Sequence, residues 1–254
     1  MVNLHRRRPH NPAHDGRHSN GRHIFVAPLM ERAVLYKAVN SFLHVMLECG
    51  KEDYVLLTQP YARTDVARNG FCQTFTGLST QDDDTLVMLD ADHTHPQLIV
   101  SRLASHEEPF GVVGALAFTR GTPPTPMFRV RNEQGELMQP ISWQKGLIPV
   151  AWVATPAIAI KRWVFDRVPY PWFTYKDEPG DNFIVSEDIV FCRACERAGI
   201  QVYCDTGIIT PHLDITEIGD RTWEDYVRAH PPVKTPESAS TAAPSPFFGG
   251  RHAR

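Results

Sequence analysis

The sequence predicts an α/β fold, a mostly parallel mixed sheet flanked by helices. Three observations point there. Short apolar runs alternate with amphipathic stretches from residue 23 to residue 118, a βαβαβαβ rhythm that places helices on both faces of a sheet. One run, Thr85–Leu89 (TLVML), is apolar throughout, as in a central strand covered on both sides. The chain, 254 residues with 42% hydrophobic and 10% aromatic side chains, is large enough to bury such a sheet.

The elements follow in order. His23–Pro28 (HIFVAP) reads as a buried strand. Glu31–Cys49 carries Val34, Leu35, Ala38, Phe42, Val45 and Met46 at helical spacing and stops at Gly50. Tyr54–Thr58 is a second strand, Arg63–Thr76 a helix, Thr85–Leu89 the central strand, Pro96–His106 a helix and Gly111–Phe118 a fourth strand. Beyond Arg120 the rhythm turns irregular and Pro-rich. Strands are expected at Phe128–Arg131, Leu137–Ile141 and Trp152–Ile160, a helix at Glu187–Ala198, and strands near Gln201–Cys204 and Ile208–Pro211. A regular first half followed by an irregular second suits a nucleotide site first and a second substrate after it.

Both ends differ from this body. Residues 1–23, with five His and five Arg, and residues 230–254, rich in Pro, Ser and Ala, lack the apolar side chains to offset ordering and read as flexible tails around a domain over 24–229. The net charge is −3, with +4 in the first tail and +2 in the last, which leaves −9 on the body. An acidic body argues against nucleic acid as a partner and suits metal ions or polar ligands. The sequence contains neither a membrane-span-length apolar stretch nor a signal-peptide core, and a cytoplasmic location is the expectation. Five cysteines are too few and too uneven for a disulfide framework.

Three patterns can carry chemistry. Asp90-Ala91-Asp92 directly follows the central strand, so both carboxylates project together from its carboxyl end, where open α/β sheets bind ligands, and a divalent cation is their natural partner. A plain loop with Asp92 capping the next helix is the alternative. Ser186-Glu187-Asp188 opens a helix: Ser186 reads as an N-cap and the acids as dipole partners, or Asp188 accepts a proton from an attacking hydroxyl. Pro211-His212-Leu213 follows an apolar strand, and His212 is either structural or an imidazole ligand that, with two carboxylates, favours Mn²⁺. Arg68-Asn69 is a fourth polar pair, where Arg68 can meet a phosphate or Asp90.

Other features read as structural. Asp82-Asp83-Asp84 is expected to be a solvated loop, and His93 and His95 loop residues rather than hydrolase ligands. Cys192, Cys195, Cys204 and His212 lack zinc-site spacing, and the cysteines fit core positions. Trp163, Trp172, Phe173 and Tyr175 are either core packing or an aromatic platform for a sugar. No Walker loop or GxGxxG is present, which removes the main support for ATPase and dinucleotide-oxidoreductase readings.

Taken in order, strand–Asp-x-Asp, Ser-Glu-Asp-x-x-Phe-Cys and strand–Pro-His-Leu resemble the GT-A class of nucleotide-sugar glycosyltransferases, particularly family 2-like enzymes of bacteria and phages. The stretches TDVARNG, ATPAIAIKRWVFDRV and SEDIVFCRACERAGIQVYCDTGIITPHL are similar to elements of that group, over roughly residues 24–215. The resemblance implies a Rossmann-like N-terminal half, an irregular acceptor-side C-terminal half, and metal-dependent transfer of a sugar from a nucleotide-diphosphate donor to a carbohydrate or other hydroxyl acceptor. It implies Mn²⁺ or Mg²⁺ held by Asp90, Asp92 and His212, with Asp92 the more direct ligand. It places Pro28, Arg68, Asn69, Asp90 and Asp92 at the nucleotide-sugar, and Asp188, with Glu187 beside it, as the base of an inverting displacement. Thr155-Pro156 departs from the glycine-containing turn of related sequences, at the donor-sugar pocket. A catalytically silent binding domain and a sugar-nucleotide pyrophosphorylase are the rival readings; the second lacks its early Gly-rich Arg/Lys loop.

Overall fold

The computed structural model describes residues 23–29, 36–50, 54–60, 62–121, 123–177, 184–214, 224–225 and 228–229. Apart from His23, the two expected tails lie outside these residues. The chain divides into two compact units, Met1–Asp214 and Ile215–Arg254, and the fold below is that of the first.

Its elements are β1 (Ile24–Leu29), α1 (Tyr36–Cys49), β2 (Tyr54–Leu56), α2 (Thr64–Leu78), β3 (Thr85–Asp90), α3 (Ile99–Ala104), β4 (Val112–Leu116), β5 (Phe128–Arg131), β6 (Leu137–Met138), β7 (Leu147–Val150), β8 (Trp152–Val153), β9 (Ala157–Lys161), α4 (Val164–Arg167), β10 (Lys176–Asp177), β11 (Ile184–Val185), α5 (Glu187–Arg197) and β12 (Val202–Ile209). A seven-stranded sheet runs in the order β2-β1-β3-β9-β4-β12-β7. Strands β1, β2 and β3 are parallel, β12 is parallel to β4, β9 runs against both β3 and β4, and β7 runs against β12. The protein is therefore α/β with a mixed, mostly parallel sheet.

Alternation along the strands sends side chains to two cores. Phe25, Ala27, Leu86 and Met88 pack with Phe71 and Phe75 of α2 and Phe191 of α5 on one face. Ile24, Val26, Val87 and Leu89 pack with Phe42 and Val45 of α1 and Ile99 and Leu103 of α3 on the other. β3, apolar from Leu86 to Leu89, sits between them as expected. Full burial of a Phe or Leu side chain contributes roughly 1.5–3 kcal/mol, and the one polar side chain of this strand before Asp90, Thr85, is buried with its hydroxyl hydrogen-bonded to Asp83 O and Lys161 Nζ.

The structure departs from the sequence expectation in several places, most of them beyond Arg120. Trp152–Ile160 is two strands: β8 joins a small sheet with β5 and β6, while β9 crosses to the centre of the main sheet. One strand, Val202–Ile209, stands where two were expected, with a register shift between Asp205 and Ile209. β7 escapes a propensity reading because it contains Pro149, which is tolerated on an edge strand. Asp84 is fully buried, not solvated: it accepts hydrogen bonds from His23 N (2.7 Å), Ser79 Oγ (2.9 Å), Thr80 N (3.1 Å) and Gln81 N (3.2 Å), while Asp82 stays exposed. Four donors converging on one carboxylate repay its desolvation.

Candidate active site

Because β9 is antiparallel to its neighbours, its amino end lies where β1, β3 and β4 end. Leu29, Asp90 and Thr155–Pro156 therefore share one rim of the sheet. Asp90 N donates to Pro156 O (2.8 Å) and Ala91 N to Leu29 O (3.0 Å). The chain after β12 returns to the same rim, where Leu213 N donates to Asp92 O (2.8 Å) and Thr94 N to Pro211 O (3.0 Å), and His93 and His212 form an antiparallel bridge. Asp-x-Asp and Pro-His-Leu, 120 residues apart, are thus joined by main-chain hydrogen bonds.

A cleft of about 600 Å³ opens here, lined by Arg68, Asp90, Asp92, His212, Glu187 and Asp188 among others. That volume lies within the range of small-molecule sites. Leu29, one residue beyond Pro28, also lines it.

The two carboxylates of Asp-x-Asp have different partners. Asp90 turns to Arg68, whose Nη2 donates to both of its oxygens (2.8 and 2.9 Å). Burial pushes the Asp90 carboxyl up to about 7, against the pull of Arg68. Burial also works against the charge of Arg68, but Asp90, Glu187 and Asp188 outweigh it and hold its pKa above the ordinary value. Nε and Nη1 of Arg68 are buried and make no hydrogen bond among the described residues. Glu187 Oε1 is 3.6 Å from Nε, too long to satisfy it. Two unused N–H directions of a buried guanidinium on a cleft wall suit an anionic ligand.

Asp92 faces the histidines. Its Oδ1 is 2.7 Å from His93 Nδ1 and its Oδ2 is 3.1 Å from His212 Nε2. The His93 and His212 rings stack with centroids 4.0 Å apart. Burial opposes ionisation of Asp92, but hydrogen bonding to His93 and His212 outweighs it and holds the carboxyl below the usual range. Burial lowers the pKa of His93 against the pull of Asp92.

The hydrogen bonding of His212 decides what can stand beside it. Nδ1 lies 3.1 Å from the Phe118 carbonyl, which only accepts, so Nδ1 carries the proton. Nε2 then faces Asp92 Oδ2 at 3.1 Å, a separation bridged by a proton on Nε2 or by a cation between the two atoms. A carboxylate facing an imidazole whose other nitrogen is fixed by a backbone carbonyl could hold a divalent transition ion. Asp92, His93 and His212 each offer an atom within 4.8 Å of the others. Asp90 is not in this group. His93 escaped sequence reasoning because its neighbour across the loop comes from the far end of the chain.

Two sequence expectations change here, and a third is decided between its alternatives. Asn69 does not present its amide to the cleft: Nδ2 donates to Asp65 O (2.9 Å) and Phe173 O (2.6 Å), and Oδ1 accepts from Trp172 N (3.1 Å) and Phe173 N (3.2 Å). It ties α2 to the 172–173 segment. Ser186 precedes α5 but makes no side-chain cap; its hydroxyl donates to Asp188 Oδ1, which also accepts from Ile189 N (2.7 Å). Trp172 and Phe173 are core residues, while Tyr175 stays exposed with the Arg63 guanidinium over its ring.

No family model matches the sequence, and no curated protein sequence does. Solved structures with a similar chain trace include A197 from STIV (18% identity, TM-score 0.49, 76% of this chain and 86% of that one). They also include GalNAc-T7 with UDP, GalNAc and Mn²⁺ (11%, 0.47, 82% of this chain, about half of that one at 48%). A third is a Drosophila β1,4-galactosyltransferase 7 mutant with manganese, UDP-Gal and xylobiose (9%, 0.41, 80% and 79%). These values are too low to bring any of those proteins' chemistry to this chain.

Proposed function

We propose that this chain is a divalent-metal-dependent glycosyltransferase of the GT-A type, moving a sugar from a nucleotide-diphosphate donor to a hydroxyl acceptor. The observation that carries the reading is the Asp92–His212 pair. It sets Asp92 Oδ2 and His212 Nε2 3.1 Å apart, in a cleft that also holds a buried arginine with unused donors.

In this reading Asp92 and His212 hold the cation, with His93 fixing the second oxygen of Asp92. The imidazole donor favours Mn²⁺ over Mg²⁺. When bound, the cation supplies positive charge to the leaving diphosphate. Arg68 offers its free N–H groups to a phosphate and keeps Asp90 in place. Asp188 is the base: both hydrogen bonds it accepts fall on Oδ1, from Ser186 and Ile189, which orients the carboxylate at the start of α5. The acceptor oxygen attacks the anomeric carbon as its proton passes to Asp188. The bond from that carbon to the diphosphate breaks, and the nucleoside diphosphate leaves with the electron pair. Glu187, buried beside Arg68, positions that guanidinium.

The test is incubation with Mn²⁺ and UDP-, GDP- and ADP-sugars while released nucleoside diphosphate is measured. Slow donor hydrolysis is expected with one of them, lost on Asp92→Ala by at least about a hundredfold. Release that persists at the wild-type rate in Asp92→Ala, or that needs no divalent ion, overturns the reading.

A further inference from the structure

Arg120 was not singled out by any sequence pattern, yet it reaches the centre of the site. It stands after β4, two residues beyond the Phe118 carbonyl that fixes His212. Its Nη2 donates to Asp92 Oδ2 at 2.6 Å and its Nε to Leu213 O at 2.8 Å. Its side chain is 45% exposed. Asp92 Oδ2 is also the oxygen that faces His212 Nε2, while Oδ1 belongs to His93. Both oxygens of Asp92 thus already have partners, and Oδ2, the oxygen a cation would share with His212, also carries a guanidinium.

The arginines that line the cleft pair with other carboxylates: Arg68 is buried on Asp90, and Arg63 is paired with Asp65 at 2.6 Å. Arg120 is the arginine on Asp92 among the described residues; its half-exposed ion pair is weak and exchangeable, and its planar fork matches phosphate oxygens as well as a carboxylate.

We infer that Arg120 is a displaceable counter-ion. In the ligand-free cleft it neutralises Asp92, and on loading it passes to the donor's diphosphate and leaves Asp92 to the metal. The inference rests on the reading of the cleft given above and adds to it a residue that couples the two ligands: the diphosphate draws away the charge that competes with the cation.

Two separate titrations test this on the full chain, each against wild type and Arg120→Gln. Mn²⁺ is titrated calorimetrically without nucleotide, and UDP and GDP are titrated in chelator without metal. The expected result is opposite movement, Mn²⁺ binding roughly three- to tenfold tighter and the preferred nucleotide weaker by a similar factor. A merely structural bracket between Asp92 and Leu213 would loosen the site and weaken both ligands together. That outcome, or changes below about twofold in both, overturns the inference. Arg63→Gln removes a cleft charge that does not touch Asp92 and is expected to leave Mn²⁺ affinity within about twofold; an equal gain there would assign the effect to net charge and also overturn it. If wild type takes up neither Mn²⁺ nor either nucleotide, the reading of the cleft falls and the inference with it.

Discussion

Two aspartates of this chain, Asp84 and Asp188, show how a carboxylate's role follows from its donors rather than from its neighbours in sequence. Asp84 is buried at the junction of α2 and β3, where four donors surround it. Burial alone would raise its pKa; the main-chain and Ser79 hydrogen bonds outweigh that and lower it. A lowered folded-state pKa contributes stability above the ordinary carboxylate value near 4, and that stability is lost as the pH falls through the folded value. Asp84→Ala is expected to cost about 3 kcal/mol or more in urea unfolding at pH 7, since several buried donors lose their partner. The gap between wild type and Asp84→Asn should shrink as the pH drops below about 4; a pH-independent gap would contradict the account. Asp188 has two donors, both on one oxygen, and sits on the cleft. If it is the base, Asp188→Asn lowers turnover by about a hundredfold or more while nucleotide affinity stays within a few-fold. Parallel loss of both would make it a binding residue.

Among the elements, β4 shows how closely packed the site's support is. Its Gly114 faces Val153 of β8, and a Cβ there would stand 2.8 and 2.9 Å from the two Val153 methyls. Both residues belong to the buried interior, and Val is stiff at χ1, so neither can yield cheaply. Gly114→Ala is expected to destabilise by about 1–3 kcal/mol, read as a fall of roughly 2–9 °C in Tm. An unchanged Tm would mean that the small sheet shifts freely on the large one. The same strand leads to the Phe118 carbonyl that fixes the tautomer of His212. Packing at Gly114 and chemistry at His212 are therefore linked through a few residues of backbone. α5 works similarly: its buried Phe191 and Cys192 anchor the helix, and its first turn carries Glu187 and Asp188 to the rim.

Across the whole first unit, stability is graded from the centre of the sheet outward. β9 and β4 are buried along their full length and β3 up to Asp90, while β2 is an edge strand and both β6 residues are exposed. Amide hydrogen exchange should be slowest in β3, β9 and β4 and fastest in β2 and β6. Equal protection in β2 and β3 would contradict a sheet held from its middle. The candidate site lies at the carboxyl end of β3, a buried central strand, so Asp90 and Asp92 follow a well-packed support. No helix among the described residues is long and apolar enough to cross a membrane.

The amino-acid sequence by itself determined the first half of the sheet, because local periodicity suffices there: βα repeats, the apolar run TLVML and the stops at Gly50 and after Thr76 are all read within a window of a few turns. It also singled out Asp92, His212 and Asp188, since each follows or opens a regular element, and Arg68 within α2. Tertiary structure alone decided which of these side chains meet. The insertion of β9 between β3 and β4, the partners of Asn69 and Asp84, and the convergence of His93 and Arg120 on Asp92 all depend on residues far apart in the chain. A hydrogen bond between such residues leaves no periodic trace, because its energy is gained only after the chain has closed the loop between them.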